Sequence, residues 1–196
     1  MILRDSLHLR AFFYAILSIL LFQMSGCISF GSLPNDEKVE IEEGESIVVI
    51  GLQEGGEAVF HAGSYENELF SYDGFLPKGF YQKDGTSYIV QKGEISKENR
   101  AYGMIYYEND LGRFSFACNQ EVPLLKVKGS GVEYFGEFNL TVENGEKLLR
   151  HSYDMDKAQR YVGETYPLSD WKLVKGEIVK SKVKKCTPGG VIVIFI

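Results

Sequence analysis

The chain is poor in cysteine, histidine and tryptophan: its 196 residues include 3 Cys, 3 His and 1 Trp, with only 5 Pro. Three cysteines are too few to staple a miniprotein together, so the fold must rest on an apolar core. Basic charge is also scarce, with 21 Lys+Arg against 27 Asp+Glu and a net charge of −6. Nucleic-acid binding needs a basic footprint that displaces counterions, and this balance argues against it. No apolar run reaches the ~20 residues that a bilayer-spanning helix requires. HxxxH, HxH and CxxC spacings are missing, and the glycines follow neither a Walker nor a dinucleotide pattern. A dedicated zinc site or a phosphate-cradling loop is therefore not expected, and no cofactor is implied. Internal repeats and low-complexity tracts are absent too. What remains, 44% hydrophobic and 24% charged residues, is the composition of an ordinary globular protein.

The N-terminus departs from that average. Arg4, His8 and Arg10 form a basic head with Asp5 as its one acid, and residues 11–22, AFFYAILSILLF, carry no charge. A buried amphipathic helix would keep a polar face, which this run lacks. A short basic head before a short apolar core is the anatomy of a secretory signal.

The segment ends in Met24-Ser25-Gly26-Cys27. This resembles the lipobox of bacterial lipoproteins, in which an apolar residue and two small ones precede a cysteine. The small residues let the chain enter the signal peptidase in extended form. The resemblance implies thioether lipidation of Cys27, cleavage before it, and acylation of the new amino group. Each buried methylene contributes ~0.8 kcal/mol and one acyl chain alone is marginal, so several chains on one residue would hold firmly. Ile28 stands where Asp would favour inner-membrane retention, which leans toward the outer membrane, on its periplasmic or surface face. The expected organisation is a signal peptide over 1–26, a lipidated cysteine with an acidic tether over 27–45, and a β domain over 46–196. The tether reading rests on Asp36, Glu37, Glu40, Glu42, Glu43 and Glu45, which resist collapse and repel an anionic bilayer. A solvated loop of the domain is the plainer alternative.

From Glu45 onward the dominant period is two. In VEYFGEFNLTV, residues 132–142, one face would take Val132, Tyr134, Gly136, Phe138, Leu140 and Val142, as in a half-buried strand. Gly136 within it predicts a bulge or a close backbone approach. Arg113–Cys118 alternates likewise. Further strands are expected over 46–52, 57–62, 79–83, 87–91, 101–107, 123–128, 147–152, 171–180 and 191–196. Asp84-Gly85 and Asn144-Gly145 supply the positive φ angles of tight hairpins. One helix is expected over about 155–165, capped by Asp154 or Ser152 and stopped by Pro167, with Met155, Ala158, Tyr161 and Val162 as a core-facing stripe.

Many short strands with one helix point to a mainly β fold, a β-sandwich or an open barrel. Val132–Leu140, Asp154–Ala158 and Tyr166-Pro167 together are similar to pieces of uncharacterised bacterial β-sandwich lipoproteins. That resemblance implies a prealbumin-like or immunoglobulin-like sandwich and no catalytic site.

Candidate chemistry is sparse. His61 and His151 are the histidines of the β domain, and Ser64 near His61 lacks the G-x-S-x-G frame of a nucleophile elbow. Glu133 and Glu137 would share a strand face ~13 Å apart, too far for a glycosidase pair, and read as a solvated face. Cys118 and Cys186 are candidates for a disulfide in an oxidising compartment, or for two reduced thiols. Lys180, Lys182 and Lys184 would share a face near Lys172, Lys175 and Lys185. That stripe suits edge protection or an anionic partner. Tyr102, Tyr106, Tyr107, Tyr134 and Phe135 read as core aromatics rather than a stacking surface. The charge-free end, Gly189 to Ile196, must be buried or it becomes a site of strand addition.

The expected function is a lipid-anchored cell-envelope protein whose non-catalytic β domain serves interaction or structural support. Its partners would be the membrane through the anchor and an envelope protein or glycan. The alternative is a ligand-binding lipoprotein recognising a glycan, peptide or lipid; an envelope hydrolase is the distant third reading.

Overall fold

The computed structural model describes residues 33–53, 56–72, 79–81, 87–96, 99–116, 120–129 and 131–184. In chain order these form β1 (Glu45–Leu52), β2 (Glu57–Glu66), β3 (Leu69–Tyr72), β4 (Gly79–Tyr81), β5 (Tyr88–Glu94), β6 (Arg100–Asn109) and β7 (Gly112–Ser115). They continue with β8 (Glu121–Lys126), β9 (Val132–Glu143), β10 (Glu146–Ser152), α1 (Met155–Thr165), β11 (Leu173–Lys175) and β12 (Glu177–Val183). The Asp84-Gly85 turn and the 191–196 strand lie outside the described residues.

The chain is mainly β with one short helix, as its periodicity implies. One sheet runs β10-β9-β1-β5, with β11 beside β9 on the same edge that β10 uses further along. It is mixed, because β1 is antiparallel to β5 but parallel to β9. The second sheet runs β4-β2-β3-β12-β8-β6-β7, and β2 also pairs with β6. That extra pairing closes β2, β3, β12, β8 and β6 into a five-strand ring. Two open sheets, as in a prealbumin-like or immunoglobulin-like sandwich, are therefore not what the pairings form. The cause is a short parallel seam at which β12 meets β3: Lys182 and Val183 lie opposite Leu69 and Phe70. The Lys184 N–H donates to the Phe70 carbonyl at 2.8 Å, and Ser181 Oγ donates to the Glu68 carbonyl at 2.9 Å.

Packing explains the ring. Phe70 is fully buried, and side chains at Gly63 on β2 or Gly103 on β6 would collide with its ring. Two glycines on facing strands thus make the space that one phenylalanine fills, as dense interiors require. Met104, Tyr107, Leu124 and Leu125 extend this core, and Phe60 meets Phe138 of the first sheet at 5.7 Å between ring centroids.

The first sheet is covered on both sides. Val48, Ile50 and Leu52 of β1 point into the core shared with the ring, while Ile47 and Val49 join a second cluster under α1. This is why residues 47–50, IVVI, are a continuous apolar run rather than an alternation. Asp154 caps α1 by accepting from the Lys157 N–H at 3.0 Å. Ala158 and Val162 are its buried face, so the predicted stripe is core. Asn144 and Gly145 turn at φ 52° and 82° between paired Glu143 and Glu146, as that dipeptide predicts.

Two predicted strands are corrected. The 171–180 segment is divided at Gly176, where the chain leaves the first sheet as β11 and enters the second as β12. The Gly176 N–H donates to the Tyr134 carbonyl at 2.8 Å, and a side chain there would strike the Phe135 ring. In β9 the expected single apolar face is also divided. Val132 and Tyr134 pack under α1, whereas Phe138 and Leu140 lie in the core shared with the ring. The switch occurs where the register slips: Val49 faces Tyr134, but Gly51 faces Glu137. Gly136 sits at that bulge with φ 81°.

Candidate functional site

The bulge at Gly136 arranges most of the chemistry-bearing side chains. By turning the strand over, it sends Glu133 and Glu137 to opposite faces of the sheet. Glu133 is 1% exposed and not on a solvated face. Its carboxylate accepts from the Lys128 and Gly129 N–H groups at 2.9 and 2.8 Å and from Ser46 Oγ at 2.9 Å. It is a buried pin for the β8–β9 turn, and this satisfaction is what permits an acid there. Glu137 faces α1. Its Oε1 accepts from Tyr88 Oη at 2.9 Å and pairs with Lys157 Nζ at 2.8 Å. Tyr88 stacks on Tyr161 of the helix at 4.3 Å. Burial, followed by the Glu137 carboxylate, raises the Tyr88 phenol well above its ordinary range.

His151 lies on β10, opposite Phe138, on the other face from Glu137. Its Nε2 is 2.8 Å from the Phe135 carbonyl, the last peptide before the bulge glycine, and in the Nε2–H tautomer it donates there. The ring sits 4.9 Å from Phe138 and edge-on to Tyr153 at 4.8 Å. Lys175 Nζ lies 4.1 Å over the Tyr153 ring, whose hydroxyl donates to the Gly176 carbonyl at 3.0 Å. Desolvation lowers the His151 pKa against the opposing pull of the Phe135 carbonyl, and Lys175 and Lys180 push the same way as desolvation.

His61 lies elsewhere, on β2 between Gly79 of β4 and Gly103 of β6, edge-on to Tyr72 at 6.4 Å. Burial lowers its pKa. Ser64 is three residues along the same strand, so its side chain leaves the opposite face. The histidines, Ser64 and the two glutamates are thus not brought together. Among the described residues no group of three metal-ligating side chains occurs.

The aromatic candidates are core as expected, except Tyr106. Tyr107, Tyr134 and Phe135 are fully buried and Tyr102 nearly so, while Tyr106 is half-buried under the Arg113 guanidinium at 4.5 Å. Lys180, Lys182 and Lys184 are exposed and alternate with buried Ser181 and Val183, so they share an outer face of the ring. None of the three pairs with a carboxylate among the described residues. Cys27, Cys118, Cys186 and Lys185 lie outside the described residues.

Sequence reasoning missed one arrangement. Within the acidic stretch, Leu33, Val39 and Ile41 pack against the cluster under α1, while Asp36, Glu37, Glu40, Glu42 and Glu43 stay exposed. The Val39 N–H donates to Ser169 Oγ at 3.3 Å, fastening this stretch to the loop after α1. That loop is itself pinned. The Ser169 N–H donates to the Tyr166 carbonyl at 3.1 Å, and Gln159 bonds both the Trp171 carbonyl and the Leu173 N–H, at 2.7 and 2.9 Å. Tyr166 and Trp171 pack at 5.1 Å, and Leu168 between them in sequence is 57% exposed. The signal for it was the spacing of Val39 and Ile41 among acids, which is strand-like and apolar on one side.

No family model matches the chain, and neither the curated proteins nor the solved structures yield a match.

Proposed function

We propose that the chain is a lipid-anchored envelope protein, exported by residues 1–26 and held at Cys27, whose β domain acts in interaction or support without catalysis. The observation that carries this reading is the uncharged run 11–22 followed by Met24-Ser25-Gly26-Cys27. The separation of His61 and His151 from each other and from the glutamates is consistent with a non-catalytic domain. The layered packing of Phe60 on Phe138 favours a sandwich-derived description in which one layer has closed on itself.

A ligand-binding reading has one observation in its favour. His151, Tyr153 and Lys175 combine a ring face, an imidazole and a cation at the start of α1, a mixture suited to a sugar or an anionic peptide. The outer-membrane placement follows from Ile28 and belongs to the same proposal.

The test is metabolic labelling with a fatty acid, combined with detergent-phase partitioning. Wild-type protein is expected to take up label and enter the detergent phase. Cys27→Ser is expected to lose the label and move to the aqueous phase. Detergent-phase recovery of an unlabelled wild-type protein, with its start methionine intact, would overturn the anchor.

A further inference from the structure

We infer that the loop between α1 and β11, residues 166–172, is a bilayer-contact element that seats Leu168 in the surface of a zwitterionic membrane. The inference deepens the lipid-anchor reading and rests on it. Its first support is reach. Leu33 packs against the domain, six positions along the chain from Cys27. Six residues extend no more than ~22 Å, so acyl chains on Cys27 would keep Leu33 within that distance of the membrane surface. The domain would then be held close to the membrane rather than on a long leash.

The second support is which surface that short connection leads to. Leu33 and Trp171 pack on the same apolar cluster, and the Val39 N–H is bonded to Ser169 inside the loop. The described chain that follows the connection is therefore tied to the loop at Val39 and shares its apolar cluster. In that loop Leu168 stands 57% exposed, the highest exposure among the large apolar side chains that project from the described residues. A leucine at a pinned loop tip can enter an apolar medium without an ordering cost, because Ser169 and Gln159 already hold the backbone. Trp171, half-buried and packed on buried Tyr166 at 5.1 Å, has the kind of amphipathic ring that sits at headgroup depth. The exposed acids of 36–43 and Asp170 make an anionic surface unfavourable. A zwitterionic bilayer is the occupant that remains compatible with both the leucine and the acids.

Trp171 is the single tryptophan of the chain, so its emission reports this loop alone. The experiment uses the full processed protein, reconstituted into phosphatidylethanolamine–phosphatidylcholine vesicles with or without bromine on the phosphatidylcholine acyl chains. Brominated vesicles are expected to quench Trp171, and Leu168→Asp is expected to restore most of the emission. Leu168 is exposed, so the variant should keep the wild-type circular dichroism and vesicle recovery. In parallel, mass spectrometry of the Cys27 peptide reads the anchor. A lipidated Cys27 with equal emission in both vesicle types would overturn the loop contact and leave the anchor standing. So would quenching that Leu168→Asp does not relieve. An unmodified Cys27 would remove the anchor and this inference together.

Discussion

At the scale of single residues, Gly136 is the position on which most else depends. Its φ of 81° lies where only glycine is at ease, and a side chain would run into His151 Nε2 and the Ser152 carbonyl. Two costs therefore combine at one site, a backbone strain and a steric one. Gly136→Ala is expected to destabilise the domain by ~2 kcal/mol or more, each such strained position costing ~1–3 kcal/mol. Urea unfolding monitored at Trp171 would measure it, and a midpoint shift within error of zero would show that the bulge relaxes freely. The same residue shows what a sequence can reveal at this scale. A glycine inside an alternating strand announces a bulge, but its consequence, the reversal of faces between Tyr134 and Phe138, does not follow from the alternation. The reversal depends on β1 pairing in parallel with β9, a contact between segments more than eighty residues apart. Glu133 is the clearest casualty: by period alone it shares a face with Glu137, whereas it is buried in a nest of amides on the other side.

At the scale of elements, α1 was the most legible piece. Its cap, stripe and stop are all local, written within about a dozen residues, and local physics decides them. Asp154→Ala removes the acceptor for the Lys157 N–H and is expected to cost ~1 kcal/mol, as such caps usually do. The readout is the same urea transition, with Asp154→Asn expected to recover most of the loss. A cost near zero would mean that Ala158 and Val162 alone hold the helix. The hairpin at Asn144-Gly145 was legible for the same reason. Less so was β3, four residues long, entered through Asn67 and Glu68 at φ 51° and 63°. A glutamate in that conformation gives no turn signal, and so short a strand carries little periodicity. The division of the 171–180 segment at Gly176 was hidden as well. Both halves are extended, and the chain moves from one sheet to the other without a turn between them.

At the scale of the whole molecule, the first sheet is apolar on both faces because it separates the ring from α1, and the two clusters share it. The two histidines of the described residues sit outside those clusters, His61 half-buried on β2 and His151 exposed on β10, and each loses part of its solvation to its neighbours. Burial lowers the pKa of His61 and of His151. A histidine whose folded pKa lies below its unfolded value of ~6.5 binds more protons when unfolded, in the interval between the two. Its contribution to stability is complete above ~6.5 and is lost as pH falls toward the folded value. Urea midpoints are thus expected to decline as pH drops through ~6, above the range in which carboxylates titrate. The decline should be shallower in a His61→Gln, His151→Gln double variant. Wild-type midpoints that rise or stay level across that window would contradict the assigned shifts.

The sequence by itself determined the β-rich class, the helix and its cap, the Asn144-Gly145 hairpin and the core role of Tyr102, Tyr107, Tyr134 and Phe135, and it alone carries the motif behind the proposed export and lipidation. Each of these is a short-range property, readable from neighbours along the chain. Only the tertiary structure decided that one layer closes into a ring, that β9 turns over at Gly136, and that the acidic stretch packs through Leu33, Val39 and Ile41 onto the cluster under α1, with Val39 bonded to Ser169. Those outcomes come from strand pairings and packing between distant segments, such as β12 with β3 across 113 residues at Ser181 and Glu68. Alternation along a strand specifies which side chains share a face; it does not specify which other strand that face will meet.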